Sequence, residues 1–263
     1  MAVTSAIRLG LIYGTDVRID WRPEIEEKIM AANYEDLFLN RHRLYHSNYS
    51  IKDFPYHILL AGSNPVDISR VWQDIFIERH HFFAEKPLGE IDKLVFCNQI
   101  KNVFWDMQPN SRIMEKLKPF EGIDFSNGIG LHVRRPLPGR EERPSEDIYY
   151  SADDTFYIRL AESLRASGST GPIYLASISE QSRKVIAHWF DDVHFMKVGS
   201  YDAGNSISAI EDAMAEIIML SRAGVITRHW FSTFGLFSAV LGAQRQCIID
   251  KDNNVVLNNY PGY

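Results

Sequence analysis

The sequence predicts an α/β protein built on parallel sheets, and three features carry that prediction. Between residues 129 and 249, short apolar runs alternate with longer amphipathic stretches, the βαβ rhythm of a parallel sheet. The run Ile129-Gly130-Leu131-His132-Val133 has the apolar density of a strand buried on both faces. It then breaks into Arg134-Arg135 and a Pro/Gly loop. At 263 residues, with 45% hydrophobic and 24% charged residues, the chain has the size and composition for one large or two medium globular domains. The turn-rich stretch 119–127 divides it into an N-terminal domain, 1–122, and a C-terminal Rossmann-type domain, 123–263.

Taken in order, residues 2–13 place Val3, Ile7 and Leu11 at helical spacing. Ile7, Leu9 and Leu11 also alternate, and Gly10 weakens a helix interior, so a strand stays open there. Residues 16–21 read as a strand and 23–32 as a helix with an early proline. Residues 35–39 form a short helix or strand, 45–56 a loop, and 57–60 a strand. A helix is predicted within 66–83 from Val71, Trp72, Ile75 and Phe76. Its Arg79-His80-His81 reads as surface rather than a metal site, since adjacent histidines face different sides of a helix. Residues 94–96 read as a strand and 111–118 as a helix.

The second half is more regular. Strand 129–134 is followed by helix 153–166, strand 173–176, helix 180–190 and strand 193–196. After the loop 199–206 come helix 207–222, strand 224–227, a short apolar helix to 241, and strand 247–249. The tail from Asp250 is polar and predicted irregular.

Composition excludes several classes. Acidic residues outnumber basic ones 34 to 28 and no basic block stands out, which argues against a nucleic-acid partner. Two cysteines, Cys97 and Cys247, exclude a disulfide framework or a cysteine zinc site and suit a reducing, cytoplasmic setting. No apolar run has the length of a membrane span, and the first residues lack the pattern of a signal peptide. Neither a dinucleotide-binding GxGxxG nor a Walker A motif is present.

Three pieces of the second half can converge on a phosphate-bearing ligand. Ligands of parallel sheets bind beyond the carboxyl ends of strands, where His132, Arg134 and Arg135 fall. Arginine's planar fork matches phosphate oxygens. Ser232-Thr233-Phe234 opens a helix after the next strand, and a helix N-terminus offers backbone N–H groups to an anion. Glu216 lies on the long helix between them.

His-Val-Arg-Arg at 132–135, the run Leu-Ser-Arg-Ala-Gly at 220–224 leading into a strand, and Ser-Thr-Phe at 232–234 resemble the fucosyltransferase superfamily. The N-terminal stretch 5–23 and Asp106-Met107-Gln108-Pro109 are similar to it more weakly. The resemblance implies a GT-B architecture of two Rossmann-type domains. It implies metal-independent, inverting transfer of fucose from GDP-fucose to a glycan or glycoconjugate hydroxyl, with residues 1–122 on the acceptor side. By the same resemblance Arg134 grips the pyrophosphate and His132 and Arg135 lie beside the nucleotide. Ser232, Thr233 and Phe234 form the phosphate- and nucleotide-binding turn. Glu216 stands where an aspartate binds guanine, sixteen residues before the serine. Glu142 is the general base, with Glu141 its neighbouring option.

The chain also departs from that pattern. Pro136-Leu137-Pro138-Gly139 replaces the usual continuation after the arginines, and Ser177-Ile178-Ser179 stands where relatives carry acids. If 2–13 is a helix, the N-terminal sheet is expected to lack its first strand. These departures keep a second expectation alongside the first, a non-catalytic nucleotide-sugar or glycan-binding relative.

Overall fold

The structure is a computed structural model, and it describes residues 2–14, 32, 34–40, 56–59, 75–78, 90–135, 152–197 and 206–258. The order is α1 (Ala2–Tyr13), α2 (Tyr34–Leu37), β1 (Tyr56–Leu59), β2 (Ile75–Glu78), α3 (Glu90–Asp106), α4 (Ser111–Leu117), β3 (Ile129–His132) and α5 (Asp154–Ala166). It continues with β4 (Ile173–Ala176), α6 (Glu180–Trp189), β5 (Val193–His194), α7 (Ile207–Leu220), β6 (Val225–His229), α8 (Thr233–Gly242), β7 (Arg245–Ile249) and β8 (Val255–Asn258).

The main sheet has six strands in the order β5-β4-β3-β6-β7-β8, all parallel except the β7–β8 pair. Counted from β3, this is the doubly wound order 3-2-1-4-5-6. The chain leaves β3 toward β4 and β5, then returns to lay β6 on the other side of β3. The strand order therefore reverses between β3 and β6, and the crevice at their carboxyl ends is where such a sheet receives a ligand. β3, β4 and β6 are buried along their whole length, as strands covered on both faces must be.

Alternation along the strands assigns the two faces. Ile129, Leu131, Val133, Ile173, Leu175 and Val225 join one core with Tyr157, Ile158 and Leu164 of α5 and Ile186 of α6. Tyr174, Ala176 and Ile226 face the other way, into a core with α7 and α8 that also takes in Phe96, Ile100 and Phe104 of α3 and Ile113 and Leu117 of α4. Polar ties fasten that second layer. Glu211 of α7 accepts from Asn110 Nδ2 at 3.0 Å and from Arg112 Nε at 2.7 Å, and Lys116 pairs with Asp212 at 2.5 Å. Each helix that follows a main-sheet strand begins with a side-chain cap. Asp153, Ser179, Ser206 and Ser232 each accept a backbone N–H three residues on.

Three expectations are corrected. Residues 94–96 are not a strand but lie inside α3. Phe96, Ile100, Val103, Phe104 and Met107 are all buried, a helical stripe that outweighs a local β-like triplet. Within 66–83, residues 75–78 form β2, paired in parallel with β1, so long-range pairing overrides the local helical spacing. The tail is not irregular. Asp250 accepts backbone N–H bonds from Asp252 and Asn254 at 2.8 Å each, and Asn253 takes φ 60°. This turn sends β8 back antiparallel along β7. The expected elements at 16–21 and 23–31 and the candidate bases Glu141 and Glu142 lie outside the described residues, and so does residue 60 of the expected strand 57–60.

Candidate active site

The floor of the crevice is made where β3 and β6 end. His132, the last residue of β3, turns toward α8. Its ring stacks on Phe234 with centroids 4.9 Å apart and planes 24° apart. Its Nδ1 lies 3.4 Å from Ser232 Oγ, and its backbone N–H meets Thr227 Oγ1 at 3.3 Å. Ser232 Oγ also accepts the N–H of Gly235 at 3.2 Å. Burial, with the charge of Arg134 next in size, pushes His132 down to about 3, so the imidazole is neutral.

Ser232 is buried and Thr233 is exposed at the first position of α8. Helix geometry gives the N–H groups of Thr233 and Phe234 no carbonyl within the helix, the arrangement that suits a helix N-terminus to an anion. Gly235 lets α8 come this close. A Cβ there would sit 2.6 Å from Arg228 Cβ and 3.3 Å from His132 Nδ1.

Arg134 and Arg135 part company at the strand end. The Arg134 guanidinium lies over the Phe231 ring, 5.1 Å from its centroid, on the side of the β6–α8 turn. Arg135 reaches the opposite layer. It donates to Ser182 Oγ at 3.1 Å and the Ala152 carbonyl at 2.6 Å, pairs with Asp154, and covers the Tyr157 ring at 5.5 Å. Beneath it the Tyr157 hydroxyl and His229 Nε2 are 2.7 Å apart. Burial, then the nearby charges of Arg134 and Arg135, push His229 down to about 4.

The turn itself is braced from below. Buried Arg228 donates to Gln246 Oε1 at 2.6 Å and to the carbonyls of His229 and Trp230 at 3.2 and 3.1 Å, and burial lowers it to about 10. The Trp230 N–H bonds the Ile249 carbonyl at 3.0 Å.

Glu216 lies on the other half of the sheet. It is buried on α7, and its Oε1 has no hydrogen-bond partner. Burial raises it to about 8 against the opposing pull of Arg183. Arg183 NH1 reaches the Ser177 and Met196 carbonyls at 3.2 and 3.4 Å, just past the ends of β4 and β5. A buried carboxyl oxygen without a partner costs stability, a condition it shares with Tyr174 Oη, Gln244 Oε1 and Arg165 Nε. Among the described residues no group of three or more His, Cys, Asp or Glu side chains is placed to hold a metal ion. Nor, among them, is any helix long and apolar enough to cross a membrane.

His132, Ser232 and Phe234 therefore meet directly, Arg134 stands at the same turn, and Arg135 is spent between α5 and α6. Sequence reasoning missed Gly235, Arg228, Arg183 and the Tyr157–His229 pair. A charged residue inside the apolar run 225–229 was the one available signal, for Arg228.

The α/β fold, with its mostly parallel six-stranded sheet, is similar to that of solved GT-B fucosyltransferases. Among solved structures, the chain is similar to the fucosyltransferase NodZ from Bradyrhizobium. That likeness covers 98% of this chain and 93% of that one at 15% identity, with a TM-score of 0.62. A NodZ alpha-1,6-fucosyltransferase co-crystallised with GDP matches over 98% and 93% at 14% identity, TM-score 0.58. A variant of Arabidopsis thaliana FUT1 in complex with GDP matches over 94% of this chain and 66% of that one at 11% identity, TM-score 0.57. At these identities the likeness establishes the fold. No family model matches the chain, and no curated protein matches it in sequence.

Proposed function

We propose that this protein transfers fucose from GDP-fucose to a glycan or glycoconjugate hydroxyl, with inversion and without a metal. The observation that carries the reading is the α8 N-terminus, capped by Ser232 and lying beside Arg134 at the point where the strand order reverses. NodZ and FUT1 structures of the same fold hold GDP, and another NodZ crystal was soaked with GDP-fucose.

The diphosphate lies across the N–H groups of Thr233 and Phe234, with Arg134 on its flank. Together they stabilise the charge that develops as the C1–O bond to phosphate breaks. Neutral His132, held against Ser232, lies beside the nucleotide. Arg135 fixes the end of β3 and so aims Arg134. Glu216, as a carboxylate, accepts the N1–H and N2–H of guanine. Glu142 takes the acceptor proton as the acceptor oxygen bonds C1 from the opposite face. Residues 1–122 supply the acceptor side and 123–263 the nucleotide side, in a reducing, cytoplasmic setting.

Calorimetric titration with GDP, UDP and ADP in EDTA tests the reading. The expected result is GDP-selective binding that Arg134→Ala abolishes, and turnover of GDP-fucose that Glu142→Gln slows without changing GDP affinity. Failure of wild type to bind GDP removes the proposal. GDP binding without transfer to any acceptor would favour the second reading, a non-catalytic relative. Its support is Ser177-Ile178-Ser179 after β4, where the resemblance expects acids.

A further inference from the structure

We propose that Trp230 is the platform on which a pyranose ring stacks on the sugar side of the diphosphate, an inference that rests on the donor-binding reading above. Two observations set its position. The base reader, Glu216, lies toward the β4–β5 half of the sheet, where its partner in charge, Arg183, meets the carbonyls after both strands. Trp230 lies on the opposite half, its N–H fastened to the last residue of β7. A nucleotide running from the α8 N-terminus to Glu216 leads away from Trp230. What remains on the Trp230 side is the leaving end of the diphosphate and whatever reacts there.

The side chain suits that role. The residue is 51% exposed, yet its backbone is held by Arg228 and Ile249. An apolar ring on a fixed turn is pre-organised, so binding against it costs little ordering. Trp230 packs edge-on against Phe231, centroids 5.7 Å apart and planes at 82°, and Phe231 carries Arg134 on its face. The platform is thus one ring removed from the arginine that meets the diphosphate. A pyranose presents a patch of C–H bonds to an aromatic face while its hydroxyls stay in water, which an exposed indole accommodates and a charged group does not. Among the described residues the other tryptophan more than half exposed, Trp189, ends α6 and gives its indole N–H to Glu162 at 2.9 Å, so it has no such place at the crevice.

The ring can belong to the donor's fucosyl group or to the acceptor, and the experiment separates them. Wild type, Trp230→Ala, Trp230→Leu and Trp230→Phe are titrated with GDP, with GDP-fucose, and, both free and GDP-saturated, with cellotetraose, chitotetraose and N-acetyllactosamine. The expected result is a loss of about tenfold or more in Trp230→Ala and Trp230→Leu, largely restored in Trp230→Phe, with GDP affinity unchanged. A loss confined to GDP-fucose assigns the platform to the donor sugar, and a loss confined to a saccharide assigns it to the acceptor. Three results overturn the proposal: unchanged affinities in the variants, an equal loss for GDP itself, or a wild type that binds no saccharide and binds GDP-fucose no better than GDP. If wild type fails to bind GDP at all, the donor reading falls, while the saccharide titrations without nucleotide still decide the role of Trp230. Retained GDP affinity and an unchanged melting temperature certify that the variants are folded.

Discussion

The two layers that cover the main sheet treat their charged groups differently. Under α5 and α6, Arg135 is consumed by Asp154, Ser182 and the Ala152 carbonyl, and Arg165 pairs with Asp192. Under α7 and α8, a buried carboxyl keeps an oxygen without a partner, and a helix N-terminus opens on a neutral histidine. The first layer satisfies most of its charged groups within the fold, buried Arg165 Nε being the exception. The second stores unmet hydrogen-bonding capacity, which costs stability and gives a ligand something to complete.

Exchanging the two arginines is the strongest way to break this contrast. Arg134→Ala should cost GDP about a hundredfold or more in affinity while moving the melting temperature little, since it removes a charge-assisted phosphate contact. Arg135→Ala should do the reverse. Losing the tie between β3, α5 and α6 should cost about 1–2 kcal/mol in urea denaturation, because the pair is only partly buried. Equal effects of the two substitutions on binding and on stability would dissolve the distinction.

Glu216→Gln sharpens it. The folded protein holds the Glu216 proton up to about pH 8, whereas an unfolded chain loses it near the usual carboxylate value. The folded state therefore binds the extra proton between those limits, and this group's contribution to stability falls as pH rises through that window. Glutamine carries no charge, so the variant should melt a few degrees above wild type at pH 8.5 and close to it at pH 5. It should also lose its preference for GDP over UDP. In wild type, GDP affinity should climb between pH 6 and 8 as the proton that guanine displaces becomes easier to remove.

The histidines act with opposite sign. His132 and His229 are held near 3 and 4, below the ordinary histidine value. Their contribution is complete above about pH 6.5 and is lost as pH falls toward those values, because the unfolded chain takes up protons first. Thermal melts from pH 7 to 4 should show this decline, and His229→Phe should flatten it. The smallest expected effect is Ser232→Ala, about 1 kcal/mol for a lost helix cap, with Ser232→Thr nearly neutral. A GDP affinity that falls far more than the stability would show that the cap serves the anion seat.

Much of the second half was legible because its signals are local. Each capping residue sits immediately before a periodic apolar segment, and β3 and β4 are short buried runs, the first broken by Arg134-Arg135 and the second by Ser177. The misread segments depend on distant or conformational facts. β2 needs β1 beside it, and β8 needs an Asp-Asn turn to reverse the chain. In the site, His132, Ser232 and Phe234 could be grouped from the sequence because each falls at a strand end or helix start. The fate of Arg135 could not, since it is decided by Asp154 and Ser182, nineteen and forty-seven residues away. Gly235 looked like any glycine in an apolar helix until the strand beneath it was in view.

That glycine sets how freely the region can be altered. Its missing methyl is the clearance between α8 and the strand below, so one added carbon must lift the helix and shift His132 and Ser232 together. In a saturation library, position 235 should return glycine alone among soluble, nucleotide-binding clones, while exposed Thr233, two residues away, tolerates many side chains. Selection acting on the spacing between two backbones would be visible there as intolerance at a residue that has no side chain to react, bind or pair.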